Sequence, residues 1–197
     1  MRRLPLEDAS DADIARAAAS GQAAAQGRAW DRFAPLVRGM LRRSLGPLED
    51  VEDHVQEVFI RFFRNLPSLR DPEAVRAFLI GISIRVAASE LRRRRVRRWL
   101  HLSERVPEHA GGALDEEARE AVRRLYALLD RLNDEARLAF VLRFIEGLEL
   151  TAVAEALGIS LATTKRRLSK VQRQVLAMVE RDPLLAEYLS DSEGSFA

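Results

Sequence analysis

The chain has 197 residues, 47% of them apolar and 31% charged, which suits one soluble domain or two small ones with a core of ordinary size. Cysteine is absent, so disulfides and thiolate metal sites are excluded, and no apolar run approaches the roughly 18 residues that a membrane span needs. The net charge is only +2, yet all 32 basic residues except Lys165 and Lys170 are arginine, and Arg92, Arg93, Arg94, Arg95, Arg97 and Arg98 stand together. Affinity for nucleic acid would therefore have to come from local concentration of charge.

Apolar residues recur at helical spacing nearly throughout and no alternating strand pattern occurs, so the expected fold class is all-α. A weak helix is expected from about Asp11 to Ser20, and a stronger one from about Arg28 to Ser44, stopped by Gly46-Pro47. The next runs from about Glu49 to Asn65 and ends before Pro67. Another opens at Pro72 and runs from Glu73 into the arginine cluster. "HLSERVPEHAGGALD", from His101 to Asp115, holds Pro and two Gly and no regular stripe, and reads as a linker. Helices resume from Glu116 to Arg131, Asp134 to Glu146, Leu150 to Leu157 and Leu161 to Glu180. The tail, "DPLLAEYLSDSEGSFA", turns acidic and small and is expected to fray at its end. The resulting architecture is two small helical domains, residues 1–100 and 116–182, joined by a flexible linker at 101–115 and followed by an acidic tail at 183–197.

Two stretches carry chemistry. "LTAVAEALGISLATTKRRLSKVQRQV" has helix-turn-helix spacing: Val153, Ala154 and Leu157 point inward, Gly158 permits a sharp turn, and Ser160 is placed to cap a second helix. Leu168 and Val175 face its core, while Thr163, Arg166, Arg167 and Lys170 fall on the other side, where they suit base edges and phosphates. The plainer alternative is a helical hairpin with a solvated basic side.

"DVEDHVQEVFIRFF" gathers acids, an amide and His54. It could hold a metal through Asp50, His54 and Glu57, form a solvated face, or be gripped by another protein. On a wheel of ~100° per residue Val51, Val55, Val58, Phe59, Phe62 and Leu66 share one side, and Asp53, Gln56, Glu57, Ile60 and Arg64 the other. The polar groups thus spread into a strip with an apolar residue in its middle. A catalytic metal would need ligands from another segment, and His101 and His109 lie in the linker.

These stretches carry a resemblance to the extracytoplasmic-function sigma factors of bacterial RNA polymerase. "RLNDEARLAFVLRFIEGLELTAVAEALGISLATTKRRLSKVQR" is similar to their region four, matching at Leu132, Arg143, Glu146-Gly147, Ala154, Leu157-Gly158-Ile159, Lys165 and Arg167-Leu168; Asn133 stands where proline is usual and Thr164 where valine is usual. "DVEDHVQEVFIRFFRNL" resembles their region two, with His54 in place of the usual leucine. The helix after it, "EAVRAFLIGISIRVAASELRRRRVRRW", resembles the part that holds the −10 promoter element, except that Ile80, Gly81 and Ile84 replace an aromatic and two cations. Upstream, Gln26 and Ala29 occupy positions usually filled by large apolar residues, so looser packing of the first helix is expected there.

The resemblance implies a dissociable specificity subunit, not an enzyme, acting in the cytoplasm without cofactor or metal. Asp50, Asp53, Gln56, Glu57, Ile60 and Arg64 would grip the clamp helices of the polymerase's largest subunit. Arg76, Phe78, Arg85, Arg92, Arg93, Arg94 and Arg95 would engage the −10 region. Ser160, Thr163, Lys165, Arg166, Arg167, Lys170 and Arg173 would read the −35 region. Implied partners are the polymerase core, including the flap of its second-largest subunit, promoter DNA and an anti-sigma factor. Two rivals stand beside this: a free-standing helix-turn-helix regulator, and a sigma-like protein that docks without melting promoters.

Overall fold

The computed structural model describes residues 9–46, 50–99 and 116–194, and every regular element among them is helical. The chain divides into two compact units, Met1–His109 and Ala110–Ala197. The stretch from 101 to 115 read as a linker lies outside the described residues.

The first unit is a bundle of α1 (Asp11–Ala19), α2 (Ala23–Leu45), α3 (Glu52–Asn65) and α4 (Val75–Trp99). Ser10 caps α1 by accepting the Asp13 amide at 3.1 Å, and Gly21 turns the chain with φ +78°. Four small or short residues of α1, Ala12, Ile14, Ala15 and Ala18, are buried, as are Ala25 and Ala29 on the neighbouring α2. Ala29 is wholly enclosed, so the small side chain there leaves no open face. α2 also begins five residues earlier than its apolar stripe suggested, in an alanine-rich turn that favours helix without an apolar signal. It continues through the exposed Pro35, whose missing amide is offset by burial of Phe33, Ala34 and Val37 around it.

α3 is the axle of this bundle. Val51, Val55, Val58, Phe59, Phe62 and Leu66 are all buried, as the wheel required. Phe59 lies 4.4 Å from Trp30 of α2, and Phe62 meets Phe33 of α2 edge-on at 6.4 Å and Phe78 of α4 at 6.3 Å. Two single turns of 3₁₀ helix, Leu66–Ser68 and Pro72–Ala74, lead into α4, the second capped by Asp71. Ion pairs fasten the helices to one another. Arg38 of α2 holds Glu52 of α3 through two bonds of 2.6 and 3.0 Å, and Asp11 of α1 accepts from Arg32 of α2 and Arg76 of α4.

The second unit packs α5 (Glu116–Leu129), α6 (Asp134–Phe140), α7 (Leu150–Leu157), α8 (Leu161–Val179) and α9 (Pro183–Gly194) around Leu129, Ala139, Val141, Leu168, Val171 and Val175. Asn133 caps α6 by accepting the Ala136 amide at 2.8 Å, a role that proline could not fill. α6 stops at Phe140 and the chain widens into one π turn, Val141–Ile145, where a helix to Glu146 was expected. The acidic tail continues the helical unit, and its last residues, 195–197, where fraying was expected, lie outside the described residues. It forms α9, with Leu185 buried in the core and Asp182 both capping the helix and pairing with Arg124 of α5.

Glu52 should make this first unit acid-sensitive. The Arg38 hydrogen bond holds its carboxyl below the ordinary glutamate value, against some opposition from burial. The stabilisation is therefore complete above about pH 4.3 and is lost as pH falls through the depressed value. Both tryptophans, Trp30 and Trp99, belong to this unit, so tryptophan fluorescence during urea unfolding follows it alone. Glu52→Gln should lower the midpoint at neutral pH and flatten its fall between about pH 5 and 3; an unchanged pH profile would remove the pair from the account.

Candidate nucleic-acid and protein interfaces

On α3 the outward strip is present as geometry. Asp53, Gln56 and Arg64 are exposed, and Ile60 among them is 54% exposed despite its apolar side chain. Glu57 is half-buried and accepts from Arg61 Nε at 2.6 Å, one turn along the helix. Asp50 accepts the Glu52 amide at 3.1 Å and so serves the amino end of α3. His54 is half-buried and contributes to the electrostatic environment of Glu90 of α4. Among the described residues no three His, Asp or Glu side chains are grouped to hold a metal.

α4 distributes its candidate DNA contacts unevenly. Arg76 is exposed but tied to Asp11, Phe78 is half-buried against Phe62, and Arg85 is exposed. In the "IGISIR" segment Ile82 and Ile84 are core residues, and Ser83 returns its hydroxyl to the Leu79 carbonyl at 2.9 Å. An isoleucine at 84 therefore packs where a cation would have to leave. Gly81 is half-buried, and a methyl placed on it would meet only the Arg85 guanidinium at 3.8 Å.

Beyond this, Arg92, Arg93 and Arg95 are exposed while Arg94 is half-buried. Arg94 donates to Glu90 at 3.1 Å and to the Leu45 carbonyl of α2 at 3.4 Å. Glu90 was not singled out from sequence, because an acid beside an arginine run reads as a solvated pair until the inward side of α4 is known. Burial pushes its carboxyl up, but hydrogen bonds from Arg97 and Arg94, with the charges of Arg94 and His54, hold it below the ordinary value.

In the second unit α7 and α8 form the helix-turn-helix. Gly158 adopts φ +66°, its amide bonds the Glu155 carbonyl, and the Ile159 amide reaches back to the Ala154 carbonyl at 3.0 Å. Ser160 then accepts the Thr163 amide at 3.2 Å and meets the Thr163 hydroxyl at 2.9 Å. Thr164 is fully buried and its hydroxyl donates to the Ser160 carbonyl at 3.0 Å, which is the partner a threonine needs in a valine position. Lys165, Arg166, Lys170 and Arg173 are exposed on the outer side of α8. Arg167 is half-buried and bonded to Glu135 of α6 at 2.7 Å. A groove of about 570 Å³ lies between them, lined by Arg131, Glu135, Thr163, Arg166, Arg167 and Lys170. Arg131 and Glu135 were missed, since they reach this groove only through the turn between α5 and α6. Arg137 was missed as well: it is 3% exposed, paired with Asp130 and set over the Tyr126 ring.

Comparison with known proteins identifies the family of the chain. Residues 29–97 match the Sigma-70 region 2 model, and residues 122–175 match Sigma-70, region 4. The ferric citrate uptake sigma factor FecI of Escherichia coli is 32% identical over 71% of this chain and 82% of its own. The RNA polymerase sigma factor CnrH of Cupriavidus metallidurans is 30% identical over 89% of this chain and 97% of its own. The chain belongs to the extracytoplasmic-function sigma factors.

As a sigma factor it directs RNA polymerase to promoters for the initiation of transcription, in a family that is not an enzyme class. The ECF sigma factor SigX of Bacillus subtilis is a further relative, 29% identical over 72% of this chain and 75% of its own. A structure of CnrH in complex with the cytosolic domain of CnrY superposes with a TM-score of 0.62 at 25% identity, covering 87% of this chain and 98% of that one. Among the described residues of this sigma factor no helix is long and apolar enough to cross a membrane.

The capping geometry of α8 makes a stability prediction. Ser160→Ala should cost about 1 kcal/mol of unfolding free energy, read by urea denaturation of the second unit. Thr164→Val, which keeps the shape and removes one donor, should cost less; equal losses would mean that the cap is not what fixes the start of α8.

Proposed function

We propose that the outward strip of α3, Asp50, Asp53, Gln56, Glu57, Ile60 and Arg64, grips the clamp helices of the polymerase's largest subunit. α4 engages the −10 region through Arg76, Phe78, Arg85, Arg92, Arg93 and Arg95. The outer side of α8, with Ser160, Thr163, Lys165, Arg166, Arg167, Lys170 and Arg173, reads the −35 region in the major groove, while the second unit also meets the flap of the second-largest subunit. The observation that carries the reading is Ile60. α3 already buries a complete apolar stripe, and an isoleucine held 54% exposed amid Asp53, Gln56 and Arg64 has the make-up of a docking patch rather than of a solvated face.

Residues 101–115 join the two promoter-binding units, and the protein works in the cytoplasm, where an anti-sigma factor holds it inactive. Support for such a partner comes from the relative CnrH, whose structure was solved in complex with the cytosolic domain of CnrY. A narrower reading, docking with poor DNA opening, is favoured by the mid-section of α4, where Ile80 and Gly81 are half-buried and Ile84 lies in the core.

Asp53→Lys combined with Ile60→Asp changes two exposed positions and should leave the fold intact. It should weaken binding to core polymerase at least about tenfold, a loss of roughly 1.4 kcal/mol, in a fluorescence titration. Arg166→Ala with Lys170→Ala should leave that affinity unchanged and reduce initiation from promoters that carry an upstream element. Undiminished core binding by the first variant would remove the α3 assignment, and loss of core binding by the second would contradict the division of labour.

A further inference from the structure

The arginine run at the end of α4 is not one uniform cationic surface. Glu90 is 6% exposed, and its two carboxylate oxygens collect Arg97 Nη2 at 2.9 Å, Arg94 Nε at 3.1 Å and Arg93 Nη1 at 3.4 Å. These arginines lie three, four and seven residues beyond it, on one side of the helix. That side faces the body of the unit, since Arg94 also reaches the Leu45 carbonyl of α2 and His54 of α3 acts on Glu90. The side chain of Arg94 is only 13% exposed and that of Arg97 35%, against 64% for Arg93. Arg92 is exposed. A carboxylate buried this far cannot release its close partners without leaving an uncompensated charge, so Arg94 and Arg97 are withheld from other anions, while the longer and exposed contact of Arg93 leaves much of its guanidinium open to solvent.

We propose that Glu90 is a positioning residue that divides the run. Arg94 and Arg97 are bound inward as part of the fold, and Arg92, with the exposed head of Arg93, is presented to the phosphates of promoter DNA. The division rests on the reading of α4 as a DNA-facing helix, and it withdraws Arg94 from the set of DNA contacts suggested by sequence.

Each neutralised phosphate contributes about 0.9 to the slope of log affinity against log salt, so the slope counts presented arginines. The test uses holoenzyme reconstituted from the full chain and core polymerase, with a labelled promoter fragment recovered from genomic DNA by transcription. Arg92→Gln should reduce the slope by about 0.9 and Arg97→Gln should leave it unchanged. Glu90→Gln, which releases its arginines, should steepen the slope by about 0.9 for each that reaches a phosphate. A purely structural Glu90 would lower the unfolding midpoint without moving the slope, and that result overturns the proposal. If Glu90→Gln does not fold, the two arginine variants decide. Equal reductions for Arg92 and Arg97 overturn the division while the DNA reading of α4 stands; no reduction for either overturns both.

Discussion

The first unit depends on the packing of α3. Phe59 and Phe62 reach across to Trp30, Phe33 and Phe78 and so tie α3 to both α2 and α4. A helix of fourteen residues that spends its valines and phenylalanines inward has a determined outer face, because side chains at i, i+3 and i+4 cannot change sides without rotating the whole helix. The position of Asp53, Gln56 and Ile60 on the surface is thus set by the core behind them.

Charge is handled by the same economy in both units. A chain with 32 basic and 30 acidic residues can show a cationic face only if many arginines are paired elsewhere. Arg38 with Glu52, Arg124 with Asp182 and Arg137 with Asp130 tie separate segments together, while Arg94 and Arg97 pair with Glu90 within α4. Lys165, Arg166 and Lys170 on α8 stay on the outside, beside an amino end built by the left-handed Gly158 and the Ser160 cap. The helix-turn-helix is therefore defined as much by its backbone satisfaction as by its cations.

Much of this was legible in the residues. The α3 stripe is strictly periodic, and the Gly158 turn and Ser160 cap have local signatures, so both survived translation into three dimensions. Other features were hidden for identifiable reasons. The start of α2 is alanine, which forms helix well but leaves no apolar mark. α9 offers Leu184, Leu185 and Tyr188 within an acidic stretch, and its burial of Leu185 depends on Asp182 and Arg124, 58 residues apart. Glu90 and Arg137 look like surface charges until tertiary packing places them inside. Asn133 seemed a departure from a family pattern, and it proves to be a helix cap.

The central claim is that this chain carries promoter choice to a polymerase that supplies the chemistry. Run-off transcription with core polymerase, the purified chain and a library of genomic fragments tests it most directly. The account predicts discrete start sites that appear only when the chain is present and share two upstream elements. A chain that binds core tightly yet produces no start site beyond those of core alone would contradict it.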